Sequence, residues 1–161
     1  MLIVSDASPL ISLALLDKLD LLDHLFNQVN VPEEVYRELT QKDKPYYDKF
    51  IIYLDGKVKK VKDQTSVNIL KNDIDAGEAE AIVLAIEEGI KDILIDDNKG
   101  RNKAKLNGLI PIGIVGLLLR AKQKDLLIEI KPLLDKLMNN KRRISQDLYD
   151  YAILLANESK Q

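Results

Sequence analysis

Two short aliphatic runs in this chain end in acid. Leu2-Ile3-Val4 passes through Ser5 into Asp6, and Ile93-Leu94-Ile95 passes into Asp96-Asp97. A buried strand that ends this way delivers its carboxylate to the sheet edge where open α/β sheets build their sites. An Asp after a strand is also an ordinary turn or cap residue, and either position taken alone reads as readily that way. A third acid adds weight. The segment 79–86 is apolar on every face except at Glu80, and a helix apolar all round is a buried one. A carboxylate there is costly unless paired or bound to metal. The plainer reading of Glu80 is a solvated acid near a helix start, favoured by the dipole. Glu78 completes a capping box with Asp75 and is read as structural. Glu38 stands near Glu33 and Glu34 on a short helix, where an exposed acid is the default. Ser8 reads mainly as a helix cap. His24 has no second histidine to work with and is assigned no chemistry.

The residues that are missing narrow the chemistry further. With no cysteine and one histidine, thiol nucleophiles, cysteine zinc sites and multi-histidine sites are excluded. A Ser-His-Asp triad would have to use His24. Any metal site must be built from carboxylates, which select hard ions such as Mg²⁺ and Mn²⁺. Net charge is −2, from 24 basic and 26 acidic residues. That balance does not announce a nucleic-acid binder, and it does not forbid one: an acidic metal site lowers the net charge while a basic rim holds phosphate. Lys99, Arg101, Lys103 and Lys105 follow the last acids directly and would be such a rim, or simply a solvated helix face. Lys141-Arg142-Arg143 reads in the same two ways.

The elements that must carry these residues alternate. Strands are expected at 2–4, 29–31, 93–95 and 110–114. Helices are expected from Ser8-Pro9, over 19–26, 33–40, 76–88, 99–106, 115–123, 125–138 and 145–157. The pieces 50–54 and 58–61 flank Asp55-Gly56 and resemble a hairpin. Residues 41–49 read as a loop, and 67–70 as one helical turn. There is no repeat, low-complexity tract or linker, so 161 residues make one domain. Strands alternating with helices mean a mainly parallel sheet covered on both faces. No apolar run is long enough to span a membrane. The N-terminus lacks the basic start of a signal peptide, so a cytoplasmic location is expected.

In order along the chain, IVSDASPLI, VPEEVYREL, DAGEAEAIVLA and ILIDDNKGR resemble the acid-bearing segments of PIN domains. The tail, GIVGLLLRAKQKDLL through RRISQDLYDYAIL, looks like a prokaryotic VapC-related subgroup. The resemblance covers nearly the whole chain. It departs from the family pattern in having Glu rather than Asp at position 80, and it leaves Asp96 and Asp97 as alternatives, with Asp97 the better match.

The resemblance implies a three-layer α/β fold in which Asp6, Glu38, Glu80 and Asp97 (or Asp96) converge above the sheet and bind one or two Mg²⁺ or Mn²⁺ ions. The ion would lower the pKa of a bound water and neutralise phosphate charge, giving endonucleolytic cleavage of single-stranded or structured RNA. Ser8, Lys99 and Arg101 would contact substrate. It further implies the toxin half of a toxin–antitoxin pair, an antitoxin partner laid across the acids, and a homodimer. Two rivals come from other classes. A PIN fold without catalysis would serve as a nucleic-acid-binding or scaffold module. A phospho-receiver domain would want an acidic pair on the first strand and a Lys at a later strand end, and neither is present.

Overall fold

The computed structural model describes residues 1–158. Its logic starts at the first strand, β1 (Leu2–Ser5). Ile3 and Val4 are adjacent and both wholly buried, yet they belong to different apolar clusters. Successive strand residues point to opposite faces, so a strand buried on both sides must lie in a middle layer. β4 (Asp92–Leu94) repeats the pattern, with Ile93 in one cluster and Leu94 in the other.

The remaining strands are β2 (Gln28–Pro32), β3 (Val58–Lys59) and β5 (Ile110–Ile112). All neighbours pair in parallel. The order is β3-β2-β1-β4-β5, so the chain works outward from β1 in one direction, then returns and continues in the other. The sheet therefore has a switch point between β1 and β4, where the carboxyl ends of two adjacent strands open a crevice. The backbone N–H of Asp6 donates to Leu94 O at 2.9 Å, which ties the two strand ends together there.

One face carries α1 (Ala7–Leu15), α2 (Asp20–Leu25), α3 (Glu33–Leu39), α4 (Tyr47–Tyr53), α8 (Ile114–Gln123), α9 (Lys131–Asn139) and α10 (Gln146–Leu155). The other carries α5 (Gln64–Leu70), α6 (Ala76–Glu87) and α7 (Asn98–Leu106). This is the α/β architecture expected from the alternation of elements. α6 is buried from Gly77 through Ala85, as its all-round apolar sequence requires.

Several local expectations are corrected. The stretch 50–53 is helical with Leu54 as the C-cap, and no hairpin forms. Phe50 and Leu54 are buried one turn apart while Ile51 and Ile52 are exposed, so burial follows a helical stripe. β3 pairs in parallel with β2, Val31 opposite Val58, instead of folding back. The first helix starts at Ala7 with Asp6 in the N-cap position, one turn-half earlier than a Ser8 cap would give. The helix expected from 125 begins only at Lys131, since Asp125 has a φ of 60°, which ends the preceding helix.

The sheet edges also differ from its centre. β3 is two residues long, and β5 has Pro111 at its middle. Ile110 donates to Lys91 O at 2.8 Å and Ile112 O accepts from Ile95 at 2.9 Å, so residues 110 and 112 face β4 and Pro111 faces outward.

Candidate active site

The acids meet at the switch point. A groove of about 830 Å³ is lined by the acids Asp6, Glu38, Asp75, Glu78, Asp96 and Asp97 and by the bases Lys141, Arg142 and Arg143. Asp6 comes from the end of β1, Glu38 from α3, Asp75 and Glu78 from the start of α6, and the Asp pair from the end of β4. α6 leads into β4 and runs against it, which puts its first turn at the carboxyl edge of the sheet.

Two glycines show how tightly the acids are drawn in. A Cβ on Gly77 would lie 3.3 Å from Asp6 Oδ1 and 3.4 Å from Glu38 Oε2, so both carboxylates crowd one point on α6. A Cβ on Gly100 would lie only 2.1 Å from Glu78 Oε2 and 2.6 Å from Ile95 Cδ1. Any side chain there displaces Glu78. Only glycine lets α7 pass so close.

The carboxylates differ in what satisfies them. Asp6 is 6% exposed and Glu78 is 5% exposed. Glu78 Oε2 is fully buried with no hydrogen-bond partner among the described residues. Burial pushes Asp6 up to about 7, assisted by the charges of Asp75, Glu38 and Asp96 and partly opposed by a hydrogen bond from the Ala7 backbone. Burial likewise pushes Glu78 up to about 9, with a shared hydrogen bond to Asp75 and the charges of Asp75, Asp6 and Asp97 adding to it. Glu38 is raised by burial and by Asp75, against the pull of Lys44. These are the signatures of like charges held together in a partly dry site.

Asp96 is better provided for. Its Oδ1 accepts from the Ile114 backbone at 2.8 Å. Burial still raises its pKa, while that hydrogen bond, the charges of Arg142 and Arg101 and a hydrogen bond with Ser8 pull it down. Asp97 caps α7, its Oδ2 accepting from Gly100 at 3.2 Å.

The structure does not bring Glu80 to this groove. Residues two apart on a helix lie about 200° apart around it, so Glu78 and Glu80 face opposite ways. Glu80 lines a separate hollow with Glu33, Glu34, Arg37 and Lys60. Its Oε1 accepts from the Glu34 backbone N–H at 3.3 Å, so it supplies one of the acceptors the first turn of α3 lacks internally. Glu78 occupies the place in the groove that sequence reasoning gave to Glu80. The capping box is only half formed: Asp75 Oδ1 accepts from Glu78 N at 2.8 Å, while the Glu78 carboxylate turns into the groove.

Neither Lys99 nor Arg101 lines the groove. Lys99 is exposed on α7, Arg101 donates to Ile95 O at 3.2 Å, and Lys103 pairs with Asp73 at 2.8 Å. Ser8 does line it, but its hydroxyl accepts from Arg142 at 2.7 Å. The basic wall is instead the segment 141–143. Asp75, Glu78 and this segment are the groove residues that sequence reasoning placed elsewhere or left open. A usable signal existed in the Asp75–Glu78 pair, which marks the helix start that the topology puts at the site.

A family model for a PIN domain, DUF3368, matches residues 2–158. The chain belongs to the PIN-domain family. No match was found among curated proteins or among solved structures. PIN domains are usually nucleases, so phosphodiester hydrolysis is the chemistry against which this groove is measured. In this PIN domain the anionic donors that line the groove are all carboxylates, oxygen ligands suited to a hard divalent ion. The orphaned Glu78 Oε2 is the kind of buried atom a cation would satisfy. Among the described residues, no group of three or more acids or histidines stands close enough together to hold a metal ion. Among the same residues, no helix is long and apolar enough to cross a membrane.

Proposed function

We propose that this chain is an endoribonuclease dependent on Mg²⁺ or Mn²⁺, of the VapC-related kind, acting as the toxin of a toxin–antitoxin pair. The observation that carries the nuclease reading is Glu78 Oε2, buried without a partner in a groove that also gathers Asp6 and Glu38. Asp6, Glu38 and Glu78 would hold the ion, with the Asp96–Asp97 pair supplying the last carboxylate. A bound divalent ion supplies charge neutralisation at the phosphate and an acidified water.

The chain's own residues do the rest. At neutral pH the Asp6 carboxyl, pushed up to about 7, retains its proton for much of the time, and that proton must leave before the oxygen can ligate. Gly77 and Gly100 keep the space around the acids clear. Ser8 and the Ile114 N–H hold Asp96 in place.

The toxin reading rests on the resemblance of the tail and on an exposed apolar stripe. On α10, Leu148, Tyr151, Leu154 and Leu155 are 42–71% exposed, and they share one side of the helix. A patch of this kind suits a partner, here a second copy or an antitoxin whose basic side chain reaches the acids.

Ribonuclease assay with and without Mn²⁺, run beside Asp6→Asn, tests the activity. Metal-dependent cleavage lost in the variant is the expected result. That no three acids among the described residues stand close enough to hold a metal ion favours one other reading, a PIN fold that binds nucleic acid or serves as a scaffold without cutting. Retained RNA binding with no cleavage under any divalent ion would decide for it.

A further inference from the structure

The groove has a second wall whose construction is specific. Between α9 and α10 the chain turns through Lys141, whose φ of 61° is in the left-handed region. Arg142 then points back into the molecule. Its Nη2 donates to Ser8 O at 2.9 Å and Ser8 Oγ at 2.7 Å, and its Nε donates to Ser12 Oγ at 3.0 Å. Ser8 and Ser12 stand one turn apart on α1, the helix whose N-cap is Asp6. One guanidinium thus staples a loop from the end of the chain to the helix that begins at the acids. Its neighbours Lys141 and Arg143 are exposed, line the groove, and make no salt bridge among the described residues.

A cation unpaired beside six acids needs an explanation. Lys141 and Arg143 make no ion pair with those acids, and the residue between them spends its own hydrogen bonds on the backbone and hydroxyls of α1. We propose that segment 141–143 is the phosphate-binding wall of the groove: Arg142 fixes its position, and Lys141 and Arg143 take the phosphodiesters flanking the one held over the acids. This deepens the nuclease reading and rests on it for the identity of the substrate as RNA. The wall offsets the repulsion a polyanion would meet from the carboxylates. No aromatic side chain lines the groove among the described residues, so base stacking of the kind single-strand binders use is lacking there. Binding is therefore backbone-directed and salt-sensitive.

The test uses the full chain and a short fluorescein-labelled oligouridylate in EDTA, where binding is read without cleavage. Lys141→Gln with Arg143→Gln should weaken binding about tenfold at low salt and lower the slope of log K against log salt by about 1.4, since each single-strand phosphate contact contributes roughly 0.7. Melting temperature should stay unchanged, as both side chains are exposed. Arg143→Lys in the Lys141 background should restore most of the slope. Arg142→Lys keeps the charge but not the fork; it should weaken binding as well, an effect that net charge does not give. In Mn²⁺ the double variant should raise KM for RNA and leave kcat within about twofold. An unchanged slope and affinity in the double variant, or no binding of the oligouridylate by the unaltered chain at low salt, overturns the wall. A protein that binds RNA through this wall but cuts nothing in Mn²⁺ keeps the wall and removes the nuclease reading instead.

Discussion

Glu78 and Glu80 are the same residue type, two positions apart on one helix, and almost equally buried at 5% and 9%. One faces the groove with a carboxylate oxygen that nothing satisfies. The other faces α3 and accepts a backbone N–H. Burial raises both pKa values, that of Glu78 up to about 9, while the Glu34 N–H pulls against the rise at Glu80, so depth alone does not tell them apart. The difference lies in whether a partner is already present. A buried acid whose oxygens are all satisfied explains itself structurally, and one that keeps a buried oxygen without a partner, as Glu78 does at Oε2, points to something that binds.

The sharpest way to break this comparison is to neutralise each acid in turn. Glu78→Gln should lower RNA cleavage in Mn²⁺ by on the order of 10²–10³, the equivalent of several kcal/mol of lost charge stabilisation. Glu80→Gln should leave the rate within a few-fold. Equal losses in the two variants would mean that the groove is not the site.

Next in size is Gly100→Ala. The added methyl sits 2.1 Å from Glu78 Oε2 and must push that carboxylate out of place. Overpacking of this kind costs about 1–3 kcal/mol and should abolish most of the cleavage. Gly77→Ala, whose new contacts are 3.3 and 3.4 Å, should be milder in thermal unfolding. A reversed order would show that Glu78 yields more easily than its burial suggests.

Proton linkage sharpens the comparison from another side. Asp6 and Glu78 keep their protons when folded at pH values where the unfolded chain has lost them. Their contribution to the stability of the metal-free protein is therefore full below about pH 4 and is lost as pH rises through about 7 and on towards 9. For Asp6 the loss is on the order of a few kcal/mol. Melting temperature in EDTA should fall across that window, and Asp6→Asn should flatten its lower half. Saturating Mn²⁺ should flatten it too, with proton release on binding in a weakly buffered titration. A pH-independent melting curve in EDTA would show that the acids are hydrated after all. The smallest effect belongs to Glu80→Ala, which leaves one N–H of α3 unpaired and should cost about 1 kcal/mol in chemical denaturation.

The strand ends carrying Asp6 and Asp96-Asp97 were legible in the sequence, because a short aliphatic run followed by acid needs no tertiary information. The burial of α6 was legible for the same reason. Its rotation was not. A helix apolar on all sides has no stripe to say which face meets the sheet, so the choice between Glu78 and Glu80 depends on packing against α3 and β1. The helix α4 was misread because Ile51, Ile52 and Tyr53 carry strand propensity that tertiary burial of Phe50 and Leu54 overrides. The staple from Arg142 to Ser8 joins residues 134 positions apart, and nothing local announces it.

The outward-facing Pro111 has a consequence for how this molecule can meet others. A sheet margin recruits foreign strands by offering a row of free amide donors. At β5 the central position of that row has no N–H to give, and the opposite margin, β3, spans just two residues. Lengthening of the sheet by a peptide or a second copy is thus disfavoured at both margins. The helices and the groove are left as the favoured docking surfaces, where side chains choose the partner.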